Sequence, residues 1–385
     1  MRRLPMLTAA AAASALLLSG CAGPDETTMV GGIRDPFVIS TYGTGTSTYA
    51  DTAAVSDAVS QATGSRVRII TSDTAIGRMA AMKSGAAVMG RLGDEYIFAY
   101  EGLNEFANED WGPQDTRVVW APLSPHSLLS RTADDIETPA DLKGQKIPKI
   151  TANPSVNGKI DAYLAYGGLT RDDVEEVEMA YGEQPEALRQ GQIDMLYQQV
   201  YGATLYELES QVDVSWIDLD PDDDEAVDRI EELTESVNVL PFDGAPAQEE
   251  GEETHGFVYT LPITAMEETS DDEVYALISA MAENFEVYEN TTVNTPRWNP
   301  EDVEDMPREA PFHDGLIRWL EEQDRWTPEA REKQDELLER GERLDAEWAE
   351  FQATEPAADE ELALWIEWRA QNGLGKANDD PNAIE

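Results

Sequence analysis

Between Phe37 and Tyr96 the chain alternates short apolar runs with helical stripes, and this alternation limits the fold more than any other feature. Phe37-Val38-Ile39-Ser40 reads as a strand, followed by the turn Tyr42-Gly43-Thr44-Gly45-Thr46-Ser47. Ala53, Ala54, Val55, Ala58 and Val59 share one side of a helix, and Val67-Arg68-Ile69-Ile70 is the next strand. Ser72 or Asp73 can cap a helix running through Met79 and Met82. Ala86-Ala87-Val88-Met89 is a third strand, entering Gly90-Arg91-Leu92-Gly93-Asp94-Glu95-Tyr96. Strand, helix, strand, helix, strand at this spacing predicts a parallel sheet with helices on its faces.

The logic then repeats. Arg117 to Trp120 begins a strand that runs into Pro122 and Pro125, and Pro139 to Gly144 is a turn before a strand at Lys146 to Ile150. The loop Asn153-Pro154-Ser155-Val156-Asn157-Gly158 feeds a helix carrying Ile160, Tyr163 and Leu164. Val174 to Ala180 is a strand, Pro185 suits the first position of a helix, Ile193 to Val200 is another strand, and His255 to Leu261 is the return. Pro221 to Glu235 predicts a solvated helix with Ala226, Ile230 and Leu233 on its inner face; Gly244 to Glu253 reads as a flexible insertion. Thr327-Pro328 opens a helical tail in which Leu337, Leu344, Trp348 and Phe351 recur at helical spacing, with Leu362, Leu364, Trp365 and Trp368 beyond. Such stripes are expected to pack on the body.

Charge excludes one class of partner. With 78 acidic and 27 basic residues, net −51, the surface cannot neutralise phosphates, so no nucleic-acid partner is expected. Aromatics spread through the chain argue against an acidic disordered polymer. A folded protein of this charge suits brine, where at 1 M salt the screening length is about 3 Å.

The single cysteine, Cys21, rules out an internal disulfide and a cysteine-cluster zinc site. It ends Leu18-Ser19-Gly20-Cys21, behind Arg2, Arg3 and the apolar run from Leu7 to Leu18. A run of roughly a dozen residues is too short for a span, which needs about 20, and suits a secretory signal. Small residues ending on Cys resemble a lipoprotein cleavage site, which implies lipidation at Cys21 and a lipid-anchored protein on the periplasmic or cell-surface side of the membrane.

No catalytic set emerges. His126, His255 and His313 are scattered and none has metal-ligand spacing, so no enzyme activity, cofactor or metal is expected. Gly43-Thr44-Gly45 lacks the rest of a P-loop, yet it has the chemistry of a binding loop. Glycine admits close backbone approach, and the hydroxyls of Thr44, Thr46, Ser47 and Thr48 gather at a helix N-terminus, which favours an anion. A plain cap would need one hydroxyl. Thr74, near the start of the second helix, and Asn153, Ser155 and Asn157, before the second unit's helix, are the companion candidates. Arg91, at a strand's carboxyl end, either holds a carboxylate bidentately or is neutralised by Asp94 or Glu95. Gln198, Gln199 and Tyr201 are the matching candidates in the second unit.

Five short segments in order carry a family resemblance: Ile39 to Tyr49; Ser84-Gly85-Ala86-Ala87-Val88-Met89-Gly90; His126 and Arg131 with Asp141-Leu142-Lys143-Gly144-Gln145-Lys146; Leu188 to Met195; and Pro311-Phe312-His313-Asp314-Gly315-Leu316-Ile317-Arg318-Trp319. With these the chain resembles the TAXI family of solute receptors, the substrate-binding partners of one class of TRAP transporters. The resemblance implies a type II periplasmic-binding-protein fold, a small carboxylate ligand held between two lobes, with Tyr49 among the loop residues, and delivery to a TRAP membrane permease. Two departures, the glycine-poor loop at Asn153 and the charged Arg91, fall where ligand would sit. An ATP-driven (ABC) importer is the alternative partner.

The expected organisation is α/β: a signal at 1–20, a tether at 21–35, lobe 1 at 36–123, lobe 2 at 124–257, the return to lobe 1 at 258–326, and a helical C-terminal extension at 327–385.

Overall fold

Caps decide where the first helices begin. In the computed structural model, which describes residues 27–231, 233, 234 and 236–375, the Thr46 hydroxyl accepts the Tyr49 N–H and the Thr74 hydroxyl accepts the Gly77 N–H. Thr74, rather than Ser72 or Asp73, is therefore the cap of the second helix. The predicted signal, Cys21 and the start of the tether lie outside the described residues.

A two-stranded ribbon, β1 (Met29–Val30) and β2 (Ile33–Arg34), precedes the first lobe. That lobe runs β3 (Phe37–Thr41), α1 (Ser47–Thr63), β4 (Val67–Thr71), α2 (Ala75–Lys83), β5 (Met89–Arg91), α3 (Glu95–Glu101) and β6 (Thr116–Trp120). The chain crosses over into β7 (Leu123–Arg131), β8 (Lys146–Ile150), α4 (Pro154–Tyr166), β9 (Glu175–Met179), α5 (Gln184–Arg189) and β10 (Met195–Gln199). It continues through α6 (Ala203–Glu209), β11 (Val214–Trp216), α7 (Asp224–Glu231), β12 (Asn238–Phe242) and β13 (Thr254–Thr260). It returns as β14 (Ile263–Met266), α8 (Asp271–Glu283), α9 (Phe285–Tyr288) and α10 (Asp314–Glu322), then adds α11 (Pro328–Gln352) and α12 (Glu361–Gln371).

The first sheet has the order β4-β3-β5-β14-β6, with β3 parallel to β4 and β5 and the returning β14 antiparallel to β5 and β6. Two crossings join the lobes, and they touch where the Leu261 N–H donates to the Pro122 carbonyl. This is the type II binding-protein arrangement, as expected. Several details differ from the sequence reading. The third strand sits at Met89–Arg91, displaced from Ala86–Met89, and the strand read as the return belongs to the second sheet; β14 makes the return. The second lobe repeats the first in part: β9 pairs in parallel with β8, β8 lies against β10, where the Asp194 N–H donates to the Lys146 carbonyl at 2.8 Å, and β10 and β11 pair antiparallel with β7. The difference is β7, nine residues long and buried over most of its length, which also pairs with β13 and through it with β12. The acidic segment is helical only over Asp224–Glu231, burying Ala226 and Ile230 and leaving Leu233 exposed.

Each lobe has its own apolar core, one centred on Phe37, Met89, Trp120 and Leu320 and the other on Leu128, Ile160, Leu196 and Phe257. The C-terminal helices join the first: Leu344, Phe351 and Trp365 are buried in it. Gly112 makes this docking possible. It has φ +66°, and a Cβ there would land inside the Trp348 indole. Gly112→Ala is expected to destabilise the fold by about 1–3 kcal/mol and to red-shift tryptophan emission as Trp348 loosens; an unchanged denaturation midpoint and spectrum would contradict this contact. No helix among the described residues is long and apolar enough to cross a membrane.

Candidate functional site

Between the two apolar cores lies a layer of buried polar side chains. Arg78, Arg91, Asp51 and Glu95 from the first lobe are completely buried, as are Ser124 and Ser127 on the crossing strand β7; Lys159, Asn153, Ser155, Gln198 and Gln199 add the second lobe's share. Charges at such depth persist only when paired. Arg78 Nε meets Glu95 at 2.6 Å, Lys159 Nζ meets Asp94 at 2.5 Å, and Arg91 lies 3.5 Å from Asp51. Three cations thus face three anions.

The Lys159–Asp94 pair spans the lobes, and so do several lesser contacts. Lys159 also donates to Thr234 and Ser236, at 3.1 and 2.7 Å. The Asp94 N–H donates to Ser155 Oγ at 3.1 Å, and the Ala75 N–H to the Ala152 carbonyl at 3.3 Å. Ser47 Oγ bonds the Gln199 side-chain carbonyl, whose amide nitrogen donates to Ser124. The Tyr42 and Tyr181 rings face each other at 6.2 Å. A cavity of about 100 Å³ opens beside this seam, lined in part by Asp94, Ser155, Lys159 and Thr234.

Arg91 differs from the other two cations. Its Nε donates to the Leu261 carbonyl at the hinge, and its guanidinium lies 4.3 Å from the Trp298 ring centre. Asp51 is engaged elsewhere, accepting from Thr292 Oγ1 at 2.6 Å and Asn294 Nδ2 at 2.7 Å. Both terminal nitrogens of Arg91 lack a hydrogen-bond partner among the described residues. Burial pulls its pKa down to about 10 against the pull of Asp51. The sequence alternative of neutralisation by Asp94 or Glu95 is corrected: those acids, at the start of α3, serve Lys159 and Arg78, and the acid beside Arg91 is Asp51 of α1.

His126 completes the layer. It stacks on Tyr259 at 4.5 Å and Tyr197 at 5.8 Å, and its Nδ1–H donates to the Ser124 carbonyl. Burial drives its pKa down to about 3, helped by the charges of Lys159 and Arg91, so it is neutral.

The remaining predicted residues sort by geometry. Thr44 and Gly45 are exposed on the loop, and the Thr46 hydroxyl is taken up by its cap and the Gly43 carbonyl. Tyr49 is half-buried on the first turn of α1. Asn153 is not in a loop; it caps α4, which starts at Pro154, and its buried Nδ2 has no hydrogen-bond partner among the described residues. Asn157 lies inside α4 and bridges the Ile150 N–H and carbonyl, both at 2.8 Å, so it fastens helix to strand and does not reach the crevice. Gln198 donates to the Tyr181 carbonyl, and the Tyr201 hydroxyl donates to the Asp243 carbonyl while accepting from Arg297 at 2.8 Å across the hinge.

Arg78, Lys159 and Asp51 escaped the sequence reading, though a signal existed. Arg78 shares the inward stripe of Ala75, Met79 and Met82, and Lys159 that of Val156, Ile160 and Tyr163. A charge on a core stripe must have a buried partner.

A family model matches residues 39–323. The chain belongs to the NMT1-like family. The match is to the NMT1-like family as a whole, and the narrower TAXI assignment is not what it supports. Among solved structures, MatC from Rhodopseudomonas palustris with bound malate is 14% identical, over 78% of this chain and 98% of that one, at a TM-score of 0.48. A binding protein component of an ABC phosphonate transporter from Pseudomonas aeruginosa is 13% identical over 83% and 99%, at 0.44. The aliphatic sulphonate binding protein SsuA from Escherichia coli is 14% identical over 78% and 97%, at 0.43. No curated protein matches the chain.

The short motifs that suggested the narrower family are largely structural fasteners in this NMT1-like protein. Asp141 closes a capping box with Thr138, Asp194 holds Arg131 and the Lys146 N–H, and His313 caps α10 through the Gly315 N–H. Such residues report a fold more than a partner.

Proposed function

We propose that this protein captures a small, carboxylate-bearing solute between its lobes and delivers it to an ATP-driven importer. The observation that carries the ligand class is Arg91: a fully buried guanidinium whose two terminal nitrogens have no hydrogen-bond partner among the described residues, one of them 3.5 Å from an acid already held by Thr292 and Asn294. Leaving such donors unused is costly, and a carboxylate fits their planar fork. Closure follows from differential binding: a ligand touching both lobes favours the shut state by the free energy of its second-lobe contacts. Ser47 and Gln199, already linked across the seam, and Asn153, with its unspent Nδ2, are placed to supply further contacts.

The importer reading takes up the ABC-transporter binding component named among the similar structures. Lipid on Cys21 would hold the receptor at the membrane, and the net charge of −51 suits a salty exterior. Mass spectrometry of solute released from natively purified protein identifies the ligand. With that solute, Arg91→Ala is expected to weaken binding by tenfold or more in calorimetry; unchanged affinity removes Arg91 from the site. In vesicles carrying the cognate membrane partner, uptake that needs ATP supports the importer, whereas uptake driven by a sodium or proton gradient overturns it in favour of a TRAP permease.

A further inference from the structure

The C-terminal helices α11 and α12 lie beyond the residues that match the family, yet they are tied to the helix that carries the cross-lobe pair. At the start of α3, Asp94 holds Lys159 and Ser155 of the second lobe, and Glu95 holds Arg78. At its end, Glu101 is completely buried and accepts from Arg340 of α11, with both oxygens at 2.8 Å, and from Arg369 of α12 at 2.5 Å. One residue earlier, the Tyr100 hydroxyl donates to the Leu337 carbonyl of α11, and Gly341 allows that ring to approach closely. Seven residues of helix are about 10 Å long. A helix of two turns, gripped at both ends by buried charge, moves as one body.

We infer that the C-terminal helical pair sets the strength of the cross-lobe latch, with Glu101 a positioning residue that acts through α3 on Asp94. The inference rests on the crevice being the capture site. The family-matched portion supplies both halves of the latch, Asp94 and Lys159, and packs α2 and β6 on the helix between them, while α11 and α12, from outside it, add the ion pairs that seat the helix's far end. Loosening that seat frees Asp94 to leave Lys159 without changing either member of the pair. The two-state element that such coupling needs is the open and shut arrangement of the lobes.

Small-angle scattering of the ligand-free, full-length protein tests this directly. Lys159→Ala breaks the latch and is expected to raise the radius of gyration. Glu101→Gln is expected to produce at least half of that rise, while Glu339→Gln, on the outer face of α11, produces none. Tyr100→Phe and Gly341→Ala are milder perturbations of the same seat, and they are expected to move the radius in the same direction if Glu101→Gln does not fold. A folded Glu101→Gln protein, or folded Tyr100→Phe and Gly341→Ala proteins, scattering like the unmodified chain would overturn the coupling, as would a Lys159→Ala protein that stays shut. Failure to find any bound solute would instead sink the capture reading and leave these scattering results standing.

Discussion

Replacing Glu95 with Ala is expected to cost about 3–5 kcal/mol of folding free energy, among the largest effects any single substitution can have in this protein. The reason is the burial of Arg78. Its side chain is fully enclosed, its Nε lies 2.6 Å from Glu95 Oε1, and its guanidinium lies against the Tyr42 ring at 3.7 Å. Without Glu95 the charge retains the Ser72 carbonyl through one terminal nitrogen. The Tyr42 hydroxyl loses its acceptor as well. Replacing both partners, Arg78→Met with Glu95→Leu, removes the stranded charge, and about half or more of the loss should return. Chemical denaturation of the two single variants and the double variant gives the answer. A Glu95→Ala protein within about 1 kcal/mol of the parent would show that water reaches Arg78 and that the crevice is wetter than this geometry implies.

Acid is expected to remove a second large contribution, through His126. In the unfolded chain its imidazole takes up a proton near pH 6.5; in the folded chain burial delays this to about pH 3. Between those values the unfolded form holds one more proton, so folding weakens as pH falls. The contribution is complete above pH 6.5 and disappears as pH drops toward 3, at about 1.4 kcal/mol per unit and roughly 4–5 kcal/mol in total. His126→Phe keeps the stacking on Tyr259 and Tyr197 and removes the titration. The many carboxylates titrate alike in both proteins, so the difference between the two stability curves isolates His126. It should be level above pH 6.5 and slope below it. A level difference throughout would mean that His126 takes up its proton as readily folded as unfolded.

Much of the first lobe is legible in the chain because its signals are local. Thr46 caps its helix from the adjoining loop, Val67–Thr71 is bounded by polar turns, and the alternating pattern leaves few other arrangements. The second lobe was less legible. Its parallel pair and antiparallel sheet are both built from short apolar runs, and a run does not state which neighbour it will pair with. The long β7 settles that by offering its edges to partners 65 or more residues away, such as Met195 against Ser130 and Phe257 against His126.

The site followed the same division. Arg91, Ser47 and Gln199 stand out locally, as polar groups at the ends of strands or the start of a helix, and the fold joins Ser47 to Gln199 across the seam and sets Arg91 against the Leu261 carbonyl at the hinge. Asn157 looked equivalent to Ser155 in the sequence, and only helical geometry separates them, sending Ser155 to Asp94 and Asn157 back to Ile150. The partners of the buried charges lay further still: Asp51 is 40 residues before Arg91, and Lys159 is 65 after Asp94.

The order of the chain alone therefore determined the α/β class, the crossing between lobes and the polar turns at helix starts, because backbone preference, capping and apolar periodicity act over a few residues. The tertiary structure decided which charges neutralise one another, which polar groups keep unspent donors and how the terminal helices grip α3. Those outcomes depend on distances between groups far apart in sequence, and the cost of burying an unpaired charge is set only once the surrounding walls have closed.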